Sequence, residues 1–168
     1  MDTSSVFRRI VPETLRDTFL LQSFGWLKVP LIAYVKPRVI EMNPDTMSML
    51  IPLRRRTRNH LGSMYFGSLM IGADVAAGYY AVKLILQSGE NVDFVFKSAE
   101  ANFLKRPTGD VLFTCTQGQD IRDLVQSAIQ TGERVDTALK VICTVPSESE
   151  EVVAEMTLVL SLKKRKKK

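Results

Sequence analysis

The chain has 168 residues, 45% of them apolar and 24% charged, which fits one globular domain able to bury a substantial core. Its net charge of +5 comes from the six basic residues at the end; the other 162 carry a net −1, so the body of the protein is not built to hold nucleic acid. One histidine and two cysteines are too few for a zinc site built from those residues, and no metal or cofactor is expected.

Residues 1–11 open with an acid and lack a compact apolar stretch behind a basic cluster, so they do not read as a secretory signal and a cytoplasmic location is expected. Residues 12–27 follow as a helix with Pro12 at its first turn. Trp26, Phe19, Leu20 and Phe24 read as the packing face of that helix, which could instead cap a ligand tunnel. Pro30 and Pro37 bracket "LIAYVK", an apolar connector. "RVIEM" and "TMSMLIPL" flank Asn43-Pro44-Asp45 and predict a strand pair.

The basic loop "RRRTRNHLGS" leads into an apolar helix from about Met64 to Gln87, closed by Ser88-Gly89. It is apolar almost all round, which predicts burial under a sheet. As a membrane span it would carry Asp74 near its centre, at roughly 2.5–3.5 kcal/mol on insertion scales; no transmembrane segment is expected. The second half reads as strands: Val92, Phe94 and Phe96 in alternation, "GDVLFTCT", then "RVDTALKVICTV" and "EVVAEMTLVLSL". One short helix interrupts them, with Ile121, Leu124, Val125 and Ala128 on one stripe. Cys115 and Cys143 lie in strand patterns and read as reduced core thiols. The expectation is an α+β domain, a twisted antiparallel sheet of five or six strands around one long helix. A single domain spans 1–162, with an N-terminal helical segment 1–37 and a core 38–162. Residues 163–168 form a disordered basic tail.

Asp74 is the only charged side chain between Leu61 and Val82. A buried carboxylate must be partnered, kept neutral, or placed beside a wet ligand site. Partners from a neighbouring strand or from Arg54, Arg55, Arg56 or Arg58 would make it structural. Helical spacing puts Gly67, Met70, Ile71, Asp74, Ala77, Gly78 and Ala81 along one stripe, where small residues leave room beside the carboxylate.

The stretch Asn59-x-x-Gly62-x-x-Tyr65-Phe66-Gly67, with Asp74 seven residues later, resembles the hotdog-fold thioesterases of the phenylacetyl-CoA type. Their pattern is Asn-x-x-Gly-x-x-His-Gly-Gly with an acid seven residues on. Tyr65 stands in place of the His and Phe66 in place of the first Gly. "RNHLGSMYFGSLMIGADVAAG" and "EANFLKRPTGDV" look closer still to an uncharacterised branch of that superfamily, over roughly residues 38–162.

The resemblance implies a hotdog fold and hydrolysis of an acyl-CoA or acyl-carrier thioester. Asp74 would be general base or nucleophile, and Asn59 would orient the water or the carbonyl. The N–H groups near Phe66 and Gly67 would form the oxyanion hole, where Gly67 admits the carbonyl closely. Tyr65 could donate a hydrogen bond in place of the family histidine. Gly62, Phe66, Ser68, Arg58, Lys105 and Arg106 are the substrate-binding candidates, the cations facing coenzyme A phosphates. Seven residues of helix rise about 10 Å, so Gly67 and Asp74 of one helix cannot reach the same carbonyl. The active protein must then be a homodimer or homotetramer with its sites between subunits. Two other readings stand beside this one. A non-catalytic acyl-CoA-binding module fits the Tyr65 and Phe66 departures, and an acyl-thioester dehydratase or hydratase would use His60 with Asp74.

Overall fold

A computed structural model describes residues 12–165; residues 1–11, including the region read for a signal, lie outside it. The elements in chain order are α1 (Glu13–Lys28), α2 (Pro30–Val35), β1 (Arg38–Met42), β2 (Met47–Ile51), α3 (Phe66–Ser88), β3 (Val92–Phe103), β4 (Val111–Cys115), α4 (Gly118–Thr131), β5 (Arg134–Val145) and β6 (Ser149–Lys164). The six strands form one antiparallel sheet in the order β1-β2-β4-β5-β6-β3. This is the α+β architecture expected from the pattern, a twisted antiparallel sheet with one long helix against it, and the hotdog fold that the resemblance implies.

Local chemistry explains most boundaries. The Asn43 side-chain oxygen accepts from the N–H groups of Asp45 and Thr46, both at 2.8 Å, and closes the β1–β2 hairpin. Gly89, at φ +68°, ends α3 in the left-handed conformation that glycine adopts without strain. Residues 30–35, expected as a connector, form the short helix α2 with Pro30 in its first turn. The backbone turns left-handed at Lys36 to leave it.

The long helix α3 lies against the sheet, as its all-round apolar surface predicts. It is the one described helix long and apolar enough to cross a membrane, and it is mostly buried in the core of this domain. Glycines on α3 bring aromatic rings onto the helix axis: Gly72 faces the fully buried ring of Phe113, and Gly78 faces Phe94 and Phe96. The Phe113 ring, fully buried, contributes about 1.5–3 kcal/mol by leaving water; Phe94 and Phe96 are only partly buried. Cys115 and Cys143 are buried and unpaired in β4 and β5. Burial pushes the Cys143 thiol up to about 12 and raises that of Cys115 as well, so both are inert packing groups.

Two expectations are corrected. The tail does not begin at 163: Lys163 and Lys164 complete β6, paired with Asp93 and Val92 of β3. Arg165 donates to Asp93 at 2.6 Å; residues 166–168 lie outside the described ones. The outer apolar residues of α1 are also not packing residues. Phe19 is 71% exposed and Trp26 73%, and Leu20 is exposed too; of the four, only Phe24 packs against the core. Helix α1 is held instead by Leu21 and by Gly25, where an added Cβ would lie 2.7 Å from the backbone N of Ala33.

Candidate functional site

The predicted residues fall into two separate cavities. The first lies at the start of α3 and measures about 310 Å3. Asn59, His60, Tyr65, Phe66, Lys105 and Arg106 are among its lining residues, with Phe103 and Met64 adding apolar wall. The loop 59–65 positions these groups. The Asn59 side-chain oxygen accepts from the N–H groups of Leu61 (2.9 Å) and Ser63 (3.2 Å), and its amide nitrogen donates to the Ser63 hydroxyl at 3.1 Å. Asn59 is therefore engaged in holding its own loop. Gly62, at φ +83°, provides the left-handed turn inside that loop.

The backbone of Tyr65 is extended and caps α3 with no side-chain hydrogen bond. Its carbonyl accepts from Ser68 and Leu69. Among the described residues the N–H groups of Phe66 and Gly67 have no acceptor, so the positive end of the helix dipole carries two free donors beside the cavity; Phe66 lines it, whereas Gly67 does not and sits behind the Tyr65 ring. The Tyr65 ring lies where a side chain on residue 67 would be, 2.5 Å from an added Cβ. It meets Phe66 edge-on at 4.9 Å, and Phe66 meets Phe103 at 6.5 Å, an aromatic rim around the cavity mouth. Lys105 is ion-paired with Glu151. Ser68 is buried in the first turn of α3, and Arg58 is exposed in the loop; neither lines this cavity.

Asp74 sits elsewhere, in an apolar cavity of about 350 Å3 beneath α1 and α2. Leu21, Phe24 and Ile32 cover it from the N-terminal helices, while Gly78, Tyr79 and Phe94 line it from α3 and β3. Among the described residues Asp74 has no hydrogen-bond or ion-pair partner, so neither an arginine of the 54–58 cluster nor a strand satisfies it. Arg54 instead lies 3.5 Å from Asp110, and Arg56 donates to the Tyr34 carbonyl at 3.2 Å. Burial raises the Asp74 carboxyl from 3.8 to about 6.

An acid that holds its proton more tightly when folded weakens the fold as pH climbs from about 4 to about 6, where the unfolded chain has already lost the proton. Asp74→Asn removes this slope. The variant should exceed wild type by about 1–3 kcal/mol at pH ~8 and match it near pH ~4 in urea unfolding.

One buried ion pair escaped the sequence reading. Lys83 donates to both carboxylate oxygens of Asp17, at 3.2 and 3.4 Å, and the Tyr79 hydroxyl donates to the Asp17 carbonyl at 3.3 Å. Asp17 is 3% exposed. The pair pins α1 over the Asp74 cavity. Lys83→Ala leaves that carboxylate buried and unpaired and should lower stability by about 2–4 kcal/mol, whereas Lys83→Arg retains most of it; urea titration of both variants measures this. Its two residues are 66 positions apart, so no local pattern signals it.

Comparison with known proteins agrees with this architecture. Residues 19–162 match the family described as a domain of unknown function, DUF4442. None of the curated proteins matches the chain. Among solved structures, a Pseudomonas aeruginosa protein of unknown function described as a probable thioesterase is 24% identical, with a TM-score of 0.67 over 88% of this chain and 96% of that one. A Chlorobaculum tepidum protein of unknown function is 12% identical at a TM-score of 0.76, over 90% and 97% of the two chains. A Haemophilus influenzae thioesterase is 16% identical at 0.62, over 86% and 88%.

Proposed function

The chain belongs to the DUF4442 family, within the hotdog thioesterase-like fold, and from that premise we propose that it hydrolyses an acyl thioester at a site shared by two subunits. The observation that carries this is the division of chemistry. A helix start with unpartnered N–H donors borders one cavity, which cations also line, and an unpartnered carboxylate lines a second, apolar cavity. One subunit offers both halves but, with about 10 Å of helix between Gly67 and Asp74, cannot bring them to one carbonyl.

A second copy supplies the join. Strand β3 is a sheet edge of 12 residues, paired on one side only, with Val95 and Phe103 exposed. Edge-to-edge pairing of β3 with the β3 of another copy would satisfy its free backbone groups and carry the α3 start of one subunit toward the Asp74 of the other.

In the reaction, Asp74 takes a proton from water as the water oxygen attacks the thioester carbon. The carbonyl oxygen becomes an oxyanion held by the N–H groups of Phe66 and Gly67. Collapse breaks the C–S bond, and the protonated Asp74 returns its proton to the leaving thiolate. Arg106, with Lys105 and His60, forms the polar end that receives the phosphates of a coenzyme A carrier. The apolar cavity beside Asp74 takes the acyl chain, so α1 and α2 set its length. Asn59 acts by holding the loop that aims Tyr65 and the helix start.

The Tyr65 ring packed against Gly67 favours one competing reading, a module that binds acyl-CoA without turning it over. Thiol release from short, long and aromatic acyl-CoAs separates the two. Turnover with an acyl preference supports hydrolysis. Binding without thiol release supports the silent module.

A further inference from the structure

The outer face of α1 is apolar, exposed and flanked by positive charge. At 100° per residue, Leu15, Phe19 and Trp26 fall within about 40° of one another, and Leu27 and Leu20 extend the same side. Phe19, Trp26 and Leu27 are 71, 73 and 81% exposed. The neighbouring α2 adds exposed Leu31 and Tyr34. A contiguous apolar patch of this kind marks a contact surface.

Charge identifies what the surface meets. Residues 12–58 hold eight Lys and Arg against four Asp and Glu, and residues 59–162 hold seven against thirteen. The basic excess is gathered beside the apolar face. Thr18 and Gln22 of α1, next to the Leu15–Phe19–Trp26 stripe, form one wall of a cavity of about 390 Å3 whose other walls carry Lys36, Arg38, Arg54 and Arg56. Among the described residues Lys36, Arg38 and Arg56 have no carboxylate partner. Arg56 also lies over the Tyr34 ring, 5.5 Å from its centroid, which ties the cation to the apolar face. Two copies meeting face to face here would set these cations against one another.

We propose that the α1–α2 face, with its flanking Lys36, Arg38 and Arg56, docks the protein on an anionic lipid bilayer. The apolar side chains enter the interface and the cations meet lipid phosphates. The inference is independent of the catalytic reading.

Trp26 is the only tryptophan and sits in the proposed contact, so its emission reports docking locally. The test uses the full chain with vesicles of phosphatidylcholine alone or mixed equally with phosphatidylglycerol, read by flotation and Trp26 fluorescence. Mixed vesicles should float the protein and shift Trp26 to the blue, with far weaker effects on phosphatidylcholine alone. Each basic residue near an anionic surface contributes about fivefold, so Arg38→Gln with Arg56→Gln should weaken binding about thirtyfold. Phe19→Ser with Leu27→Ser alters only exposed positions, keeps every charge, and should abolish the blue shift and most flotation.

Three results overturn the proposal. One is no Trp26 shift with mixed vesicles. Another is undiminished flotation of the Phe19→Ser, Leu27→Ser variant, which would assign binding to the basic C-terminal residues. The third is a lipid-free, concentration-dependent Trp26 shift accompanied by self-association that this variant loses, which would make the face a contact between copies.

Discussion

Asp74→Asn is expected to lower kcat for thioester hydrolysis by about a hundredfold to ten-thousandfold with little change in KM. The substitution keeps the size of the side chain and removes its ability to accept a proton from water, the contribution a general base makes. The apolar cavity that raises the carboxyl to about 6 also dictates the pH profile. Wild-type kcat/KM should rise tenfold per pH unit below about 6, as the base deprotonates, and level off above it. The variant's residual rate should lack that limb. Because Asn also relieves the burial of a charge, the inactive variant should be no less stable than wild type near neutral pH. Loss of activity with a retained fold separates a catalytic carboxylate from a structural one.

The second large effect is expected at the helix start. Gly67→Ala should reduce kcat/KM by about a hundredfold, in the range seen when an oxyanion donor is lost. An added Cβ would lie 2.5 Å from the Tyr65 ring, so the half-exposed ring, which lines the cavity, must shift from its place beside the free Phe66 and Gly67 N–H groups. Alanine is a better helix former than glycine by about 0.5–1 kcal/mol, so thermal stability should hold or improve while activity falls. A parallel loss of both would contradict the assignment.

How far these features are legible in the sequence differs from element to element. The hairpin at Asn43 and the end of α3 at Gly89 follow from turn chemistry and a glycine stop, and the burial of α3 follows from its apolar circumference. The isolation of Asp74 is visible in one dimension and is confirmed in three by its lack of described partners. Helix α2 was hidden because six residues between prolines are too few to show a helical period. The exposure of Phe19 and Trp26 was hidden for a different reason: a helix apolar on both sides looks like a packed one, and only the position of Leu21 and Gly25 tells which side the core takes. The basic run at the C-terminus read as tail because charge outweighed alternation, yet Lys163 and Lys164 continue the ladder of β6 against β3. Asn59 matched a motif position, but a motif does not reveal that its amide is engaged by Leu61 and Ser63.

The central claim, one site assembled from two chains, is tested most directly by subunit complementation. Asp74→Asn and Gly67→Ala proteins, each nearly inactive, are unfolded, mixed in equal amounts and refolded together, and thiol release is measured. Random pairing makes half the dimers mixed, and each mixed dimer holds one intact site: the Asp74 of one chain facing the unaltered helix start of the other. Recovery to about one quarter of wild-type activity is the predicted result, from the two-fold pairing of a closed dimer. Recovery no greater than the average of the two variants alone would place Asp74 and the helix start in one chain's site and contradict the account.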